Sequence, residues 1–184
     1  MNKRIFIFLL STLAAWPLAA QFRVEVSGVG LTQLPIAIAQ FRGETSAPQK
    51  IGTIVQADLV RSGQFRAIDT ANVDLDENSR PDLSPWRQKG ADALASGSIS
   101  RLADGRYDVR FRLWDVVRGQ DLGGQSFAVP QADLRLAAHR ISDYIYEKLT
   151  CDKGVFSTRI AYVTKTAQRY NLWVADADGE NAQA

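Results

Sequence analysis

The feature that most constrains the fold of this chain is the dipeptide Asp104-Gly105, which separates two long runs of alternating apolar and polar residues. Asp-Gly favours tight turns whose twist matches that of paired antiparallel strands, so residues 93–102 and 106–117 are predicted to form a β-hairpin. The apolar face of the second strand consists of Tyr107, Val109, Phe111 and Leu113. The opposite face consists of Asp108, Arg110, Arg112 and Trp114. A sheet with one apolar face requires a second layer that covers it.

Two amphipathic helical patterns can supply that layer. Apolar residues recur at helical spacing within residues 49–61, and Gly63 then provides a residue suited to a left-handed C-cap. A second helix is predicted over residues 132–150. Its apolar stripe consists of Leu134, Ala138, Ile141, Ile145 and Leu149. Each helix can therefore bury one face against the sheet.

Shorter patterns complete the predicted domain. Further strands are predicted at residues 34–41, 65–69 and 123–129. Residues 86–92 predict a short helix that Gly90 ends, and the polar residues 72–85 predict a surface loop. The predicted fold class is therefore α+β, with an α/β-type N-terminal domain in which a mixed β-sheet carries two main helices on one face.

The pattern changes after Gly154. Residues 159–163 and 170–175 predict two strands, and a second Asp-Gly pair follows them. Since a lone hairpin is marginal in water, this end is interpreted as the opening of a truncated β-rich domain. The apolar side chains expected to lack a second layer are Ile160, Tyr162, Leu172 and Trp173. The predicted division of the chain is a leader at 1–20, an N-terminal domain at 21–154 and the start of a second domain at 155–184.

Residues 1–20 have the three parts of a secretory signal peptide. A positively charged start precedes an apolar run over residues 5–16, and small residues before Gln21 offer a cleavage site. The run is too short to span a bilayer, which needs about 20 apolar residues. We expect cleavage after Ala20 and export of a mature chain with no direct membrane insertion.

The composition narrows the classes of function. The chain has 22 basic and 20 acidic residues, and two of the basic residues lie in the predicted leader, so the mature chain is formally neutral. A neutral chain has no general attraction for nucleic acid or anionic lipid. One cysteine and one histidine exclude an internal disulfide framework and the common zinc ligand sets.

No local motif predicts catalysis, a cofactor or a metal. His139 lies beside the apolar stripe of the second long helix, where a surface or partly buried position is typical, and no motif places an acid to pair with it. Cys151 has no nucleophile signature around it. Four acids resemble a calcium loop in composition only and are interpreted as a solvated loop, namely Asp74, Asp76, Glu77 and Asp82.

The arginines near the hairpin favour a solvated sheet face over a nucleic-acid surface. Arg110 and Arg112 share a face with Trp114, an arrangement that would suit RNA. They alternate with Asp108, however, and the mature chain is neutral. We therefore expect no nucleic-acid partner.

Several of these segments resemble the TolB family of periplasmic proteins. Residues 86–99 resemble the start of its central strand, and residues 105–116 resemble its long hairpin. The most specific run is the helix-loop-strand phrase at 141–163, which reads ISDYIYEKLTCDKGVFSTRIAYV. The resemblance covers the whole mature chain and implies an N-terminal domain followed by the first hairpin of a truncated β-propeller. Cys151 stands where the family usually has a glycine.

The resemblance also implies a function, that of a non-enzymatic adaptor in the periplasm. In the Tol–Pal cell-envelope system such an adaptor links TolA, through its mature N-terminal arm, to the outer-membrane lipoprotein Pal, through its propeller. The link would serve outer-membrane integrity and constriction at cell division, with other outer-membrane proteins as further partners. Because most of the propeller lies outside this sequence, we expect weak or no binding of Pal.

The arm that the resemblance assigns to the C-terminal domain of TolA consists of Gln21, Phe22, Arg23, Val24, Glu25 and Val26. Its side chains alternate between apolar and polar, as in a strand. A free strand carries N–H and C=O groups that the edge of a partner's sheet can satisfy. From the pattern alone, an edge strand of the chain's own sheet is an equally good interpretation.

Two other functions stay open at this point. A periplasmic binding module for a small molecule or a peptidoglycan fragment needs a concave apolar pocket with convergent polar groups. A hydrolase needs a nucleophile, a base and a group that orients the base. The sequence shows neither set, so the adaptor is the leading hypothesis.

Overall fold

The computed structural model describes residues 33–70, 73–78 and 80–184. The strands in these residues are β1 Leu34–Ile38, β2 Gln40–Phe41, β3 Phe65–Ile68, β4 Asp74–Leu75, β5 Ala93–Arg101, β6 Tyr107–Asp115, β7 Gln120–Val129, β8 Arg159–Thr166 and β9 Arg169–Asp176. The helices are α1 Ile51–Arg61, α2 Ser84–Gln88 and α3 Leu134–Thr150, with short 3-10 turns at Glu44–Ser46 and Gln131–Asp133. No helix in this part of the chain is long and apolar enough to cross a membrane.

A mixed sheet of five strands, in the order β3-β1-β5-β6-β7, forms the centre of the first region. The three strands β3, β1 and β5 are parallel, whereas β5, β6 and β7 are antiparallel. The predicted hairpin is confirmed, with Gly97 opposite Phe111 and the turn residue Gly105 at a φ of +87°. Gly124 of β7 is required for close pairing, since a Cβ there would lie 1.9 Å from the carbonyl oxygen of Phe111.

Both long helices pack on one face of this sheet, as the sequence predicts. The core between the helices and the sheet includes Ile36, Phe41, Val55, Leu59, Phe65, Phe111, Leu113, Ile141 and Ile145, all 2% exposed or less. Burial of each large apolar side chain stabilises the fold by about 1.5–3 kcal/mol. The left-handed residue after α1 is Gly63, at a φ of +76°, as expected for its C-cap.

The opposite face of the sheet is also partly covered, which the hairpin pattern did not indicate. Trp86 of α2 and Leu83 pack with Leu94 and Trp114 in a second apolar cluster. Trp114 is therefore only 4% exposed, although it alternates with arginines along β6. Arg110 and Arg112, which precede Trp114 on β6, reach solvent and pair with carboxylates, Arg110 with Asp108 and Arg112 with Asp121. These ion pairs fit the solvated face that the alternation favours.

The prediction of a surface loop at 72–85 is partly wrong. Asp74–Leu75 pairs in parallel with Gln40–Phe41, and Asp76 and Glu77 are each 9% exposed. Asp76 also forms an ion pair with Arg42. The chain turns inward here because Leu75 packs against the second apolar cluster, which no local pattern could reveal.

The second region is the hairpin of β8 and β9, which follows α3 after a short connection. The two strands pair antiparallel from Arg159 opposite Asp176 to Thr166 opposite Arg169. All of β8 is exposed, as are Leu172 and Val174 of β9. The predicted exposure of Ile160, Tyr162 and Leu172 is confirmed, at 43%, 38% and 61%. Trp173 is half-buried, and its indole N–H donates to Thr164.

Candidate functional site

The predicted partner-binding arm, Gln21 to Val26, lies outside the described residues, so it stays a prediction. The described chain begins at Gln33, whose side-chain amide donates to the Gly63 carbonyl oxygen at 3.1 Å. The next residue, Leu34, opens β1, which lies between β3 and β5. The first described strand is therefore an interior strand of the sheet.

The described residues contain one buried polar network that the sequence did not predict. It is centred on His139 of α3, whose side chain is 1% exposed. The Nδ1 atom of His139 lies 2.6 Å from Asp58 Oδ2 of α1. On the other side of the ring, Nε2 lies 3.4 Å from Asp178 Oδ2, in the turn after β9. The network thus joins both long helices to the second region.

The expectation that His139 is a surface or partly buried residue is wrong. It assumed that no acid was placed to pair with this histidine. Asp58 lies 81 positions earlier in the sequence and is brought to His139 only because α1 packs against α3. The same packing places Ser142, one turn after His139, 2.8 Å from Asp58 Oδ2. A signal does exist, since residues 135, 139 and 142 share one side of the helix and are all polar.

The network contains an Asp, a His and a Ser, but they are not arranged for hydrolysis. In a catalytic triad the serine hydroxyl bonds to the histidine that takes its proton. Here Ser142 Oγ instead bonds to Asp58 and to the Ala138 carbonyl oxygen, and its side chain is fully buried. A substrate could not reach this hydroxyl without separation of the helices. The geometry therefore gives no support to the hydrolase hypothesis.

A metal ion also fits this group poorly. Ligand atoms of Asp58, His139 and Asp178 lie within 4.8 Å of one another. The two carboxylates, however, face opposite nitrogens of the ring, so one ion cannot take a ring nitrogen and both of them at ordinary ligand distances. Both oxygens of Asp58 already accept hydrogen bonds, Oδ1 from Arg61 and Oδ2 from His139 and Ser142. The arrangement is that of a hydrogen-bonded ion network.

Asp178 is the member that belongs to the second region. Its side chain is 2% exposed and accepts two hydrogen bonds from the Arg135 guanidinium of α3. Burial acts to raise the pKa of Asp178, but hydrogen bonds from Arg135 and the Glu180 N–H outweigh it, so the pKa lies below its usual value. Asp178 is therefore a stable carboxylate that holds the β9 turn against α3.

A second feature is a shallow polar groove of about 320 Å³ where β1 ends and α1 begins. The buried charged side chain in this groove is Glu44, which accepts hydrogen bonds from the N–H groups of Phe41 and Gly52. Burial raises the pKa of Glu44, partly opposed by these hydrogen bonds. Because both carboxylate oxygens bind the backbone, Glu44 closes the N-terminus of α1 and is not directed at a ligand.

Cys151 ends α3 in the conformation that a glycine would adopt. Its φ is +63°, its N–H donates to the Glu147 carbonyl oxygen at 3.0 Å, and its side chain is exposed. This is a left-handed C-cap, which glycine adopts without strain and which costs a residue with a Cβ about 1–2 kcal/mol. The structure thus forms the cap with a residue that carries a Cβ.

The described residues form an α/β domain with a hairpin attached to it. It is a two-layer α/β domain with a well-packed core, joined through a buried ion network to the exposed β8–β9 hairpin. The described residues bring together no exposed nucleophile, base and orienting group. The described part of the chain is therefore a helix-covered sheet with an attached hairpin.

The comparisons with known proteins agree with this description. The TolB amino-terminal domain matches residues 22–122. The Tol-Pal system protein TolB of Albidiferax ferrireducens is 74% identical over 184 residues, which cover 100% of this chain and 43% of that protein. The Polaromonas sp. protein of the same name is 75% identical over 177 residues, covering 95% of this chain and 42% of that one.

A solved structure gives the same result. The crystal structure of TolB from Acinetobacter baumannii superposes with a TM-score of 0.71 at 34% identity, covering 89% of this chain and 41% of that chain. The chain belongs to the TolB family. It spans about two fifths of the length of the curated relatives that it matches.

Proposed function

We propose that this protein is a non-enzymatic adaptor of the Tol–Pal system in the periplasm. It would bind the C-terminal domain of TolA through its N-terminal arm and Pal through the propeller that its second region begins, in support of outer-membrane integrity and constriction at division. The observation that carries the proposal is the family match, which starts at Phe22 and so includes most of the arm. The names of the relatives supply the Tol–Pal assignment.

The position of the arm in the chain supports a role in binding. The described chain enters the sheet at β1, and both sides of β1 are already paired, with β3 and β5. A segment that precedes an interior strand can extend towards a partner without disturbing the sheet. Its alternating residues suit addition of a strand to a partner's sheet, in which main-chain hydrogen bonds supply affinity and alternate side chains supply register.

The test replaces Val24 with proline and measures binding to the C-terminal domain of TolA by titration calorimetry. Proline removes one N–H from the strand ladder and restricts the preceding residue, so binding should be lost. Val24→Ala is the matched control, because it shortens the side chain and keeps the N–H. Circular dichroism should show unchanged helix content in both variants.

Two results would contradict the proposal for the arm. If the proline variant binds TolA as tightly as the wild type, the arm is not the interface. If that variant loses its folded core, residues 22–26 form a structural strand of the chain's own sheet. A separate measurement concerns Pal, whose binding to this chain should be weak or absent. A submicromolar affinity, of about 8 kcal/mol or more, would place the Pal site in the N-terminal domain.

Export is tested independently of partner binding. The protein recovered from the periplasm should begin at Gln21 and should stay soluble after a carbonate wash. An intact Met1 end or retention in the membrane fraction would refute the predicted leader. The alternative function, a small-molecule or peptidoglycan-fragment module, predicts a thermal shift with the corresponding ligand in the absence of TolA.

A further inference from the structure

The buried network described above joins the two regions of the molecule, and its central residue is the only histidine in the chain. From the geometry we infer that His139 is a protonation-dependent latch, which holds the β8–β9 hairpin against α3 when its ring carries a proton on both nitrogens. This inference concerns contacts within the chain and does not depend on the proposed partners.

The Nδ1 atom of His139 carries a proton. It lies 2.6 Å from Asp58 Oδ2, and that oxygen also accepts from Ser142. A carboxylate accepts hydrogen bonds and does not donate them, so Nδ1 is assigned the proton. In a neutral histidine the other nitrogen, Nε2, then carries a lone pair.

The Nε2 atom of His139 faces the carboxylate of Asp178. It is buried without a hydrogen-bond partner, and the nearest group of opposite character is Asp178 Oδ2, at 3.4 Å. A lone pair directed at a carboxylate in a buried site is unfavourable. Addition of a proton to Nε2 replaces this contact by an attraction between opposite charges. Only the doubly protonated ring presents an N–H group to both carboxylates.

The buried charged groups around the His139 ring carry a net negative charge. From α1, Asp58 faces Nδ1, and from the β9 turn, Asp178 faces Nε2. Arg135, on the preceding turn of α3, is 20% exposed and pairs with Asp178. Arg61 pairs with Asp58, but at 52% exposure its charge is mainly hydrated. Two buried carboxylates and one nearly buried guanidinium therefore leave one negative charge, which an imidazolium would neutralise.

The consequence is reciprocal linkage between the proton and the hairpin. If docking of the Asp178 turn favours the protonated ring, then protonation favours docking by the same free energy. The stabilisation of hairpin docking by the protonated ring is fully present at low pH. It is lost as the pH rises through the range in which histidine titrates, about pH 5 to 8. The docking equilibrium should change about tenfold for each pH unit that separates titration in the docked and detached states.

The experiment uses the full chain and two readouts. Labelling of histidine with ¹⁵N reports the two ring nitrogens of His139 without assignment, since the chain has one histidine. Hydrogen–deuterium exchange, corrected for intrinsic rates, reports the opening of the β8–β9 hairpin. Both are measured from about pH 5.5 to about pH 8. We expect Nε2 to lose its proton over the same pH interval in which protection of the hairpin amides falls tenfold or more.

The decisive variant is Asp178→Asn, which keeps the size of the side chain and removes the charge that faces Nε2. In this variant the protection of the hairpin should vary less than twofold over the interval. Asp121→Asn is the matched control, because it removes a carboxylate of β7 that pairs with Arg112 of β6, away from the network. That control should leave both profiles unchanged.

Two outcomes would overturn the inference. Constant protection of the wild-type hairpin across the pH interval would show that protonation of His139 and docking are not linked. An unchanged pH profile in Asp178→Asn would show that the contact between Nε2 and Asp178 is not the origin of the effect. Both readouts work without TolA or Pal, so failure of the adaptor proposal would leave this test intact.

Discussion

The two regions of this molecule use the same elements in different ways. In the first region, hairpin β5–β6 is covered by α1 and α3 on one face and in part by α2 on the other, and Leu113 of β6 is 0% exposed. In the second region, hairpin β8–β9 has a continuous register of eight pairs, yet Leu172 of β9 is 61% exposed. The ladder of hydrogen bonds is present in both hairpins, but the second layer is present only in the first.

The stability of a strand pair comes mainly from the layer that covers it. Main-chain hydrogen bonds exchange with bonds to water and contribute only modestly to net stability, whereas burial of apolar surface contributes the larger part. The second hairpin is held instead at one end, where Ala175 and Asp176 are buried and Asp178 joins the His139 network. Its exposed apolar strands are the surface that the remainder of a β-rich domain would cover.

The largest effect is expected where the two regions meet. Asp58→Ala should lower the free energy of unfolding by about 4 kcal/mol, because removal of one partner leaves buried charged and polar groups uncompensated. Asp121→Ala removes an exposed partner of Arg112 and should cost less than about 1 kcal/mol. Urea denaturation of both variants measures the difference. Equal losses would mean that the His139 network contributes no more than a surface ion pair.

The next effect compares matched leucines in the two hairpins. Leu113→Ala should destabilise the chain by about 3 kcal/mol, since the side chain is fully buried and leaves a cavity. Leu172→Ala should change the stability by less than about 0.5 kcal/mol because that side chain is largely exposed. Thermal unfolding provides the measurement. A large loss from the Leu172 variant would show that the second hairpin is covered in solution, for instance by a second copy of the chain.

A smaller effect is expected at the end of α3, between the two regions. Cys151→Gly should stabilise the chain by about 1 kcal/mol, because glycine adopts the left-handed C-cap without a Cβ penalty. Asp152→Gly, one residue later, is the control and should give no gain. A destabilised Cys151→Gly variant would indicate that the thiol makes a contact in solution that outweighs the backbone strain.

The smallest effect on the first region should come from removal of residues 159–184. A chain that ends at Thr158 keeps Phe156, which packs edge-on against Tyr146 with ring centroids 5.6 Å apart. It also keeps the N–H groups of Phe156 and Ser157 that donate to Asp143. We expect unchanged helix content and higher solubility. Because the whole β9 turn leaves together with Asp178, Arg135 and His139 gain access to water and are not left buried without a partner, so the change in stability should stay within about 1 kcal/mol.

The matched comparison is a chain that ends at Gly154, the boundary predicted from the sequence. That shorter chain loses the ring of Phe156 and both donors to Asp143, so it should be less stable than the chain that ends at Thr158. Circular dichroism and light scattering on the two chains measure the difference. If the two are equally stable, the contacts of Phe156 contribute nothing and the predicted boundary is the better one.

The local elements of this protein were predictable because their determinants lie within a few residues of one another. Asp104-Gly105 sets the hairpin turn, Gly63 ends α1, and the apolar stripe of residues 134–149 defines the buried face of α3. Turn chemistry and helical spacing act over one or two turns of chain. The family could be recognised for the same reason, since its most specific phrase is contiguous at 141–163.

Only the tertiary structure decided the features that depend on residues far apart in the chain. His139 is buried because α1 brings Asp58 to it from 81 positions away, and the β9 turn brings Asp178 from the other side. Trp114 is buried because α2 covers its face of the sheet, although its neighbours along β6 are charged. Burial of a polar side chain is set by the partner that satisfies it, and a linear pattern carries no record of that partner.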